Sequence, residues 1–225
     1  PDITPIIKHS RFPVIVEFQA KREYEGSGSF PNFVGAYYQQ IRDKIIDLPQ
    51  LYGMSVWAQT GGWTAPLPLT FLEKTPSWNE INTRVALGLF TDTQASWKEI
   101  ISQYQKKLSW KQTGEQLAEL LQLIEQITVE GLYFAAFQTP LYFRRTRLST
   151  LIGVHWQTLL HHDIVRILLG VVKVDATVEL KRLTNTEKKL KKAAVLLEDL
   201  GTPFNEQIKV FEDTVKLWRL YNDQF

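Results

Sequence analysis

The chain has 225 residues, 44% of them hydrophobic and 22% charged, with a formal net charge of +2. That is a globular composition, long enough for one large domain or two small ones, and too near neutral to argue for nucleic acid or an anionic membrane as partner. Cysteine is absent, which excludes disulfides, thiolate nucleophiles and thiolate metal sites without fixing the compartment.

No charged N-terminal segment leads into an apolar stretch, so no signal peptide is expected. The opening Pro1-Asp2, without an initiator Met, is what a processed product or a piece of a longer chain would show. Aromatic residues make up 12% and include seven Trp, suited to stacking on sugar rings but equally to core packing.

In chain order, residues 12–20 form a dense apolar and β-branched run, Phe12-Pro-Val-Ile-Val-Glu17-Phe-Gln-Ala20. Such a run predicts a strand buried on both faces. Glu17, Gln19, Lys21 and Glu23 share a parity, so an extended chain projects them from one face. Glycine and serine at 26–29 give the exit. They lack the spacing of a dinucleotide or phosphate loop, so a turn is expected there and no cofactor.

The spacing over residues 33–47 predicts an amphipathic helix, stopped by Leu48-Pro49. A second apolar run, 51–59, ends in Thr60-Gly61-Gly62-Trp63. Strand, helix and strand in this order predict one βαβ unit with parallel strands. Residues 63–78, rich in proline and threonine, read as a long loop over the strand ends.

From residue 79 the period turns helical. Helices are expected over 79–90, 94–108, 113–127, 144–172, 175–200 and 203–221, with Thr91-Asp92-Thr93 capping the second. Leu117, Leu120, Leu121, Ile124 and Ile127 make one stripe, and Gly201-Thr202-Pro203 parts the last two helices. The predicted fold class is therefore α/β followed by all-α. Residues 1–78 hold the βαβ segment and 79–225 a helical domain. Two parallel strands cannot stand alone: either helices wrap them in a small α/β arrangement or, the favoured reading, they are the last strands of a (β/α) barrel whose remainder lies outside this chain, the helical bundle making most of the mass.

The run Glu17-Phe-Gln-Ala-Lys-Arg-Glu-Tyr-Glu-Gly26 resembles the E-[FL]-Q-x-x-x-E-Y-x-G segment of bacterial and fungal α-glucuronidases, glycoside hydrolases that cut 4-O-methylglucuronic acid from xylan. Gly53 to Thr64 looks like that family's next strand, ending in a polar turn and Trp-Thr. Residues 82–104, with Gly88-Leu89-Phe90, an acidic turn and Ala95-Ser-Trp-Lys-Glu-Ile-Ile, are similar to its following helices. The likeness covers roughly residues 10–108. Lys21 and Arg22 depart from the uncharged residues of the family's motif.

The resemblance implies the last strands of a (β/α)8 barrel followed by a helical domain, with a carbohydrate as partner. It implies inverting hydrolysis, in which two carboxyl groups stand roughly 6.5–9.5 Å apart with water between them. Glu17 and Glu23 are the candidates for the base or a substrate-binding carboxylate. The general acid is expected on an earlier strand outside this chain, supplied by the remaining barrel or a homo-oligomer partner. Gln19, Lys21, Arg22, Tyr24, Trp57, Gln59 and Trp63 are the substrate-binding candidates.

Each signal has a bland alternative. Glu17 and Glu23 could instead be salt-bridged to Lys21, Arg22 or Arg11, and Trp63 could be packed. His155, His161 and His162 lack the i, i+4 spacing of ligands, so no metal is expected. The apolar stretch 151–174 is interrupted by charges and histidines, which predicts a buried helix and no membrane span. The basic run 181–192 reads as a solvated helix face. Arg144, Arg145 and Arg147 could bind a sugar acid or pair with carboxylates of neighbouring helices. The competing function is a non-catalytic helical interaction or carbohydrate-binding domain.

Overall fold

A computed structural model of the chain describes residues 3–20, 32–57, 78–106, 114–135, 167, 174–198 and 205–223. Its contacts group Pro1–Arg22 with Phe33–Glu125, and Glu23–Asn32 with Gln126–Phe225. The described residues are predominantly helical, with one small parallel sheet. Of the expected helix over 144–172 only residue 167 is described. Of the expected loop over 63–78 only Trp78 is described, and it opens a helix instead. The turns at 26–29 and 201–203, the three histidines and the three arginines lie outside the described residues.

In the first unit a short helix α1, Thr4–Lys8, carries proline in its first turn, where the missing N–H costs nothing. It precedes β1, Val14–Gln19. Helix α2, Gly35–Ile45, then leads to β2, Leu51–Trp57, which lies parallel to β1. The predicted βαβ order is therefore present. Val16 pairs with Met54, Glu17 with Ser55, Phe18 with Val56 and Gln19 with Trp57, after a register shift between Val14 and Ile15.

The expectation that β1 is buried on both faces is overturned. Val16, Phe18 and Ala20 are buried, whereas Ile15, Glu17 and Gln19 are exposed. The strand alternates because, among the described residues, helices pack on one face of the sheet. Phe18 meets Tyr38 of α2 at a ring separation of 4.5 Å. It also meets Phe90 of helix α3 (Trp78–Thr91) at 5.5 Å. Each such buried side chain contributes roughly 1.5–3 kcal/mol from desolvation, which the open face forgoes.

Ile81, Val85 and Leu89 give α3 its inward stripe. A Cβ at Gly88 would stand 2.9 Å from Ile100 side-chain atoms on helix α4, Trp97–Gln105, so glycine permits that close crossing. The expected cap at 91–93 is also corrected. Ser96 is the N-cap: its Oγ accepts from Glu99 N–H, while Glu99 accepts from the Ser96 N–H at 2.7 Å. Asp92 instead folds the preceding turn, accepting from the N–H groups of Gln94 and Ala95. The capping box, in which Ser96 and Glu99 each answer the other's backbone N–H, fixes the start of α4 at Trp97.

Helix α5, Gly114–Ile127, buries the predicted stripe of Leu117, Leu120, Leu121, Ile124 and Ile127. It runs on into one π-helical turn, Thr128–Leu132. In the second unit, Arg182 donates to Val129 O at 2.9 Å and Tyr133 O at 3.0 Å, carbonyls at the two ends of that turn.

Arg182 belongs to helix α6, Ala176–Glu198, which packs against α7, Asn205–Asn222. Arg219, late in α7, reaches Thr184 and Glu187 early in α6, so the two helices run antiparallel. Leu183, Leu190 and Leu197 of α6 are buried, as are Ile208, Phe211 and Val215 of α7. Lys181, Lys188, Lys191 and Lys192 are exposed, the solvated face expected of that basic run. No helix among the described residues is long and apolar enough to cross a membrane.

Candidate functional site

The open face of the sheet gathers its polar groups at the C-terminal ends of β1 and β2. In-register partners of parallel strands project to the same face, so Glu17 stands beside Ser55 and Gln19 beside Trp57. Ser55 Oγ donates to the Glu17 carboxylate at 3.4 Å, a long bond that leaves most of the carboxylate's accepting capacity to solvent or ligand. Trp57 keeps 44% of its surface exposed. One carboxylate, one amide and one indole therefore share an open surface, successive rows being about 6.6 Å apart along the strands.

Buried groups hold this edge in place. Asn82 of α3 is fully buried. It donates to Ala20 O at 3.4 Å and accepts the Val34 N–H at 3.2 Å, tying the end of β1 to the entry of α2. Tyr38 donates its hydroxyl to Gln19 O at 2.5 Å. That bond faces away from β2, beside a hollow of about 220 Å³ lined by Ile3, Glu17, Gln19, Tyr37, Tyr38 and Ile41 among others. Glu17 is the one carboxylate among the described residues lining it.

Of the residues predicted from sequence, the structure thus brings together Glu17, Gln19 and Trp57. Lys21, Arg22, Glu23, Tyr24, Gln59 and Trp63 lie outside the described residues. Arg11 is exposed, and the described partner of Glu17 is Ser55 rather than an arginine. Sequence reasoning missed Ser55, Tyr38 and Asn82. Ser55 had a local signal, a hydroxyl two residues before Trp57 within an apolar run. Tyr38 and Asn82 had none, since each is addressed to a backbone group 19 or 62 residues away.

Two further polar features lie in the same unit. Tyr104 donates its hydroxyl to Glu80 at 2.9 Å, Arg84 bonds the same carboxylate, and the Arg84 guanidinium stacks over the Tyr104 ring at 4.6 Å. Burial, then the neighbouring Glu80 carboxylate, pushes the Tyr104 phenol up to about 12. The three groups satisfy one another, which marks a helix-to-helix clamp. A polar cleft of about 450 Å³ between α4 and α5 is lined by Lys98, Glu99, Ser102, Glu115, Glu119 and Gln122, among others. Among the described residues no three carboxylates or histidines converge as metal ligands would.

Comparison with protein-family models, with curated proteins and with solved structures gives no match.

Proposed function

We propose that this chain forms part of a glycoside hydrolase resembling the α-glucuronidases, acting on a uronic-acid-bearing or related glycan. In this proposal β1 and β2 are two strands of a (β/α) barrel, and their C-terminal ends face the substrate, as strand ends do in such folds. The observation that supports it is the placement of Glu17, exposed and with Ser55 as its partner among the described residues, beside Gln19 and Trp57 on one face.

Glu17 would accept a proton from the attacking water, or a hydroxyl of the sugar. Gln19 would hold a second hydroxyl, and Trp57 would stack on the ring face. Water's oxygen would bond to the anomeric carbon as the glycosidic bond breaks. A carboxylic acid from the rest of the barrel would protonate the leaving oxygen.

The second reading is carbohydrate binding without cleavage. It is favoured by Glu17 being the one carboxylate among the described residues lining the neighbouring hollow.

Both are tested by titrating glucuronic-acid-bearing xylo-oligosaccharides against tryptophan fluorescence, with product analysis of the same mixtures. The hydrolase proposal expects saturable quenching that Trp57→Ala and Glu17→Gln each weaken about tenfold or more, with product of inverted anomeric configuration once the complete barrel is present. Quenching without product in that complete protein supports binding alone. Indifference of the fluorescence to every glycan sinks both.

A further inference from the structure

The outer edge of β1 is built to take another strand. Val14 N–H bonds Gln50 O at 2.8 Å and Ala20 N–H bonds Trp57 O at 3.0 Å. The backbone groups of even-numbered residues in β1 therefore point at β2. Alternation along a strand turns those of Ile15, Glu17 and Gln19 the other way. Of these outward groups, the Gln19 carbonyl is taken by the Tyr38 hydroxyl. The N–H and C=O of Ile15 and Glu17 and the N–H of Gln19 carry no described partner. Donors and acceptors without a partner among the described residues, repeating about every 6.6 Å, match an extended backbone and little else.

The side chains beside this edge specify what the strand would carry. Toward α2 lies the hollow bounded by Ile3, Tyr37, Tyr38 and Ile41, which takes an apolar side chain. Toward the open face stands the exposed carboxylate of Glu17, which favours a cation in the neighbouring strand.

A second copy of this chain fits poorly. Two-fold pairing of β1 with itself sets Glu17 opposite Glu17, Ile15 or Gln19, and none of these supplies a cation. We infer that the outer edge of β1 captures an extended segment of a different polypeptide, one alternating apolar residues with lysine or arginine. The recognition is strand addition: backbone hydrogen bonds bind, and alternate side chains select. It is compatible with carbohydrate binding on the open face, but it competes with the barrel of the hydrolase proposal, whose preceding strand would occupy this same edge of β1.

The test uses the full chain and the peptide acetyl-Ser-Val-Lys-Val-Ser-amide, followed by amide hydrogen exchange and NMR shifts. The inference expects the Ile15, Glu17 and Gln19 amides to exchange about tenfold more slowly at saturating peptide, with Tyr37 and Tyr38 signals shifting. Replacing the peptide's lysine by glutamate should remove the effect, and Glu17→Lys in the protein should restore it for the glutamate peptide. N-methylating one alternate set of peptide amides should abolish binding, and methylating the other should not.

Protection that ignores the peptide's charge, or indifference to both methylated sets, overturns the inference. So does the absence of protection at every peptide concentration. Dimerisation of the free chain with the same amides protected would also overturn it, in favour of a second copy.

Discussion

The carboxylate of Glu125, on α5, accepts the backbone N–H of Tyr37 at 2.9 Å, and its other oxygen accepts that of Ala36 at 3.1 Å. Val34, at the N-cap of α2, offers no capping side chain, so a residue nearly ninety positions away satisfies the orphan donors of that helix. Negative charge at a helix N-terminus adds to the effect through the macrodipole. Glu125→Ala should therefore lower the unfolding free energy by about 1–2 kcal/mol. Gln122→Ala, at an exposed site on the same helix, should change it little. Urea unfolding of the two variants checks this, and equal effects would refute the capping role.

Arg42 is 3% exposed, and its Nη1 donates to Leu89 O and Ala95 O at 3.1 Å and to Asp92 O at 3.4 Å. It ties the Leu89 carbonyl in the last turn of α3 to those of Asp92 and Ala95 in the turn that follows, while Nε bonds Asp43 at 2.6 Å. Substitution Arg42→Met keeps the bulk and removes the donor from the buried Leu89 and Ala95 carbonyls. A loss of about 2–4 kcal/mol is expected from leaving several buried acceptors unmet. Arg42→Lys should recover part of it, since an ammonium cannot span three carbonyls and Asp43 together. Thermal melts of both variants decide; an unchanged melt for Arg42→Met would show that the carbonyls are satisfied otherwise.

The phenol of Tyr104, raised to about 12, makes stability depend on alkaline pH. A folded-state value above the unfolded one means the protonated form is favoured by folding. That contribution is whole below the ordinary tyrosine pKa of about 10. It drains away as pH climbs from there through the folded value. Wild type should therefore lose stability over this interval faster than Tyr104→Phe, which should be the less stable protein at neutral pH by about 1 kcal/mol. Parallel slopes for the two proteins in alkaline urea titrations would contradict the clamp.

At acid pH the sign reverses for Glu99. Its backbone bond from Ser96, then the Ser96 hydroxyl, hold its carboxyl below the usual glutamate range. A depressed folded-state value means that the capping contribution is complete above the unfolded pKa and lost as pH falls through the folded one. Glu99→Gln should flatten that acid limb, and Ser96→Ala should cost about 1 kcal/mol at neutral pH. Melting temperatures measured across the acid range test both. A wild-type acid limb no steeper than that of Glu99→Gln would mean the box does not titrate.

Helix placement was largely legible because its code is local. The spacing over 113–127 and over 175–200 recurs as Gly114–Ile127 and Ala176–Glu198, since an apolar residue every third or fourth position serves any partner that covers it. The βαβ order followed from the same logic.

The burial of β1 was not legible. Ile15, 62% exposed, is as apolar as its buried neighbours, and only the distribution of helices around the sheet tells the two faces apart. Ser96 displaced the expected cap because Glu99 answered it three residues later, a pairing present in the sequence but weighed below the acidic turn before it.

The sequence by itself determined which segments coil, which extend, and that a carboxylate, an amide and a tryptophan would end the two strands. Only the tertiary structure decided that Glu17 meets Ser55, that Glu125 closes α2, and that Arg42 ties the last turn of α3 to the turn that follows. Periodicity is written within one or two turns of chain, whereas a buried carbonyl or amide is answered by whichever distant side chain the packing delivers to it.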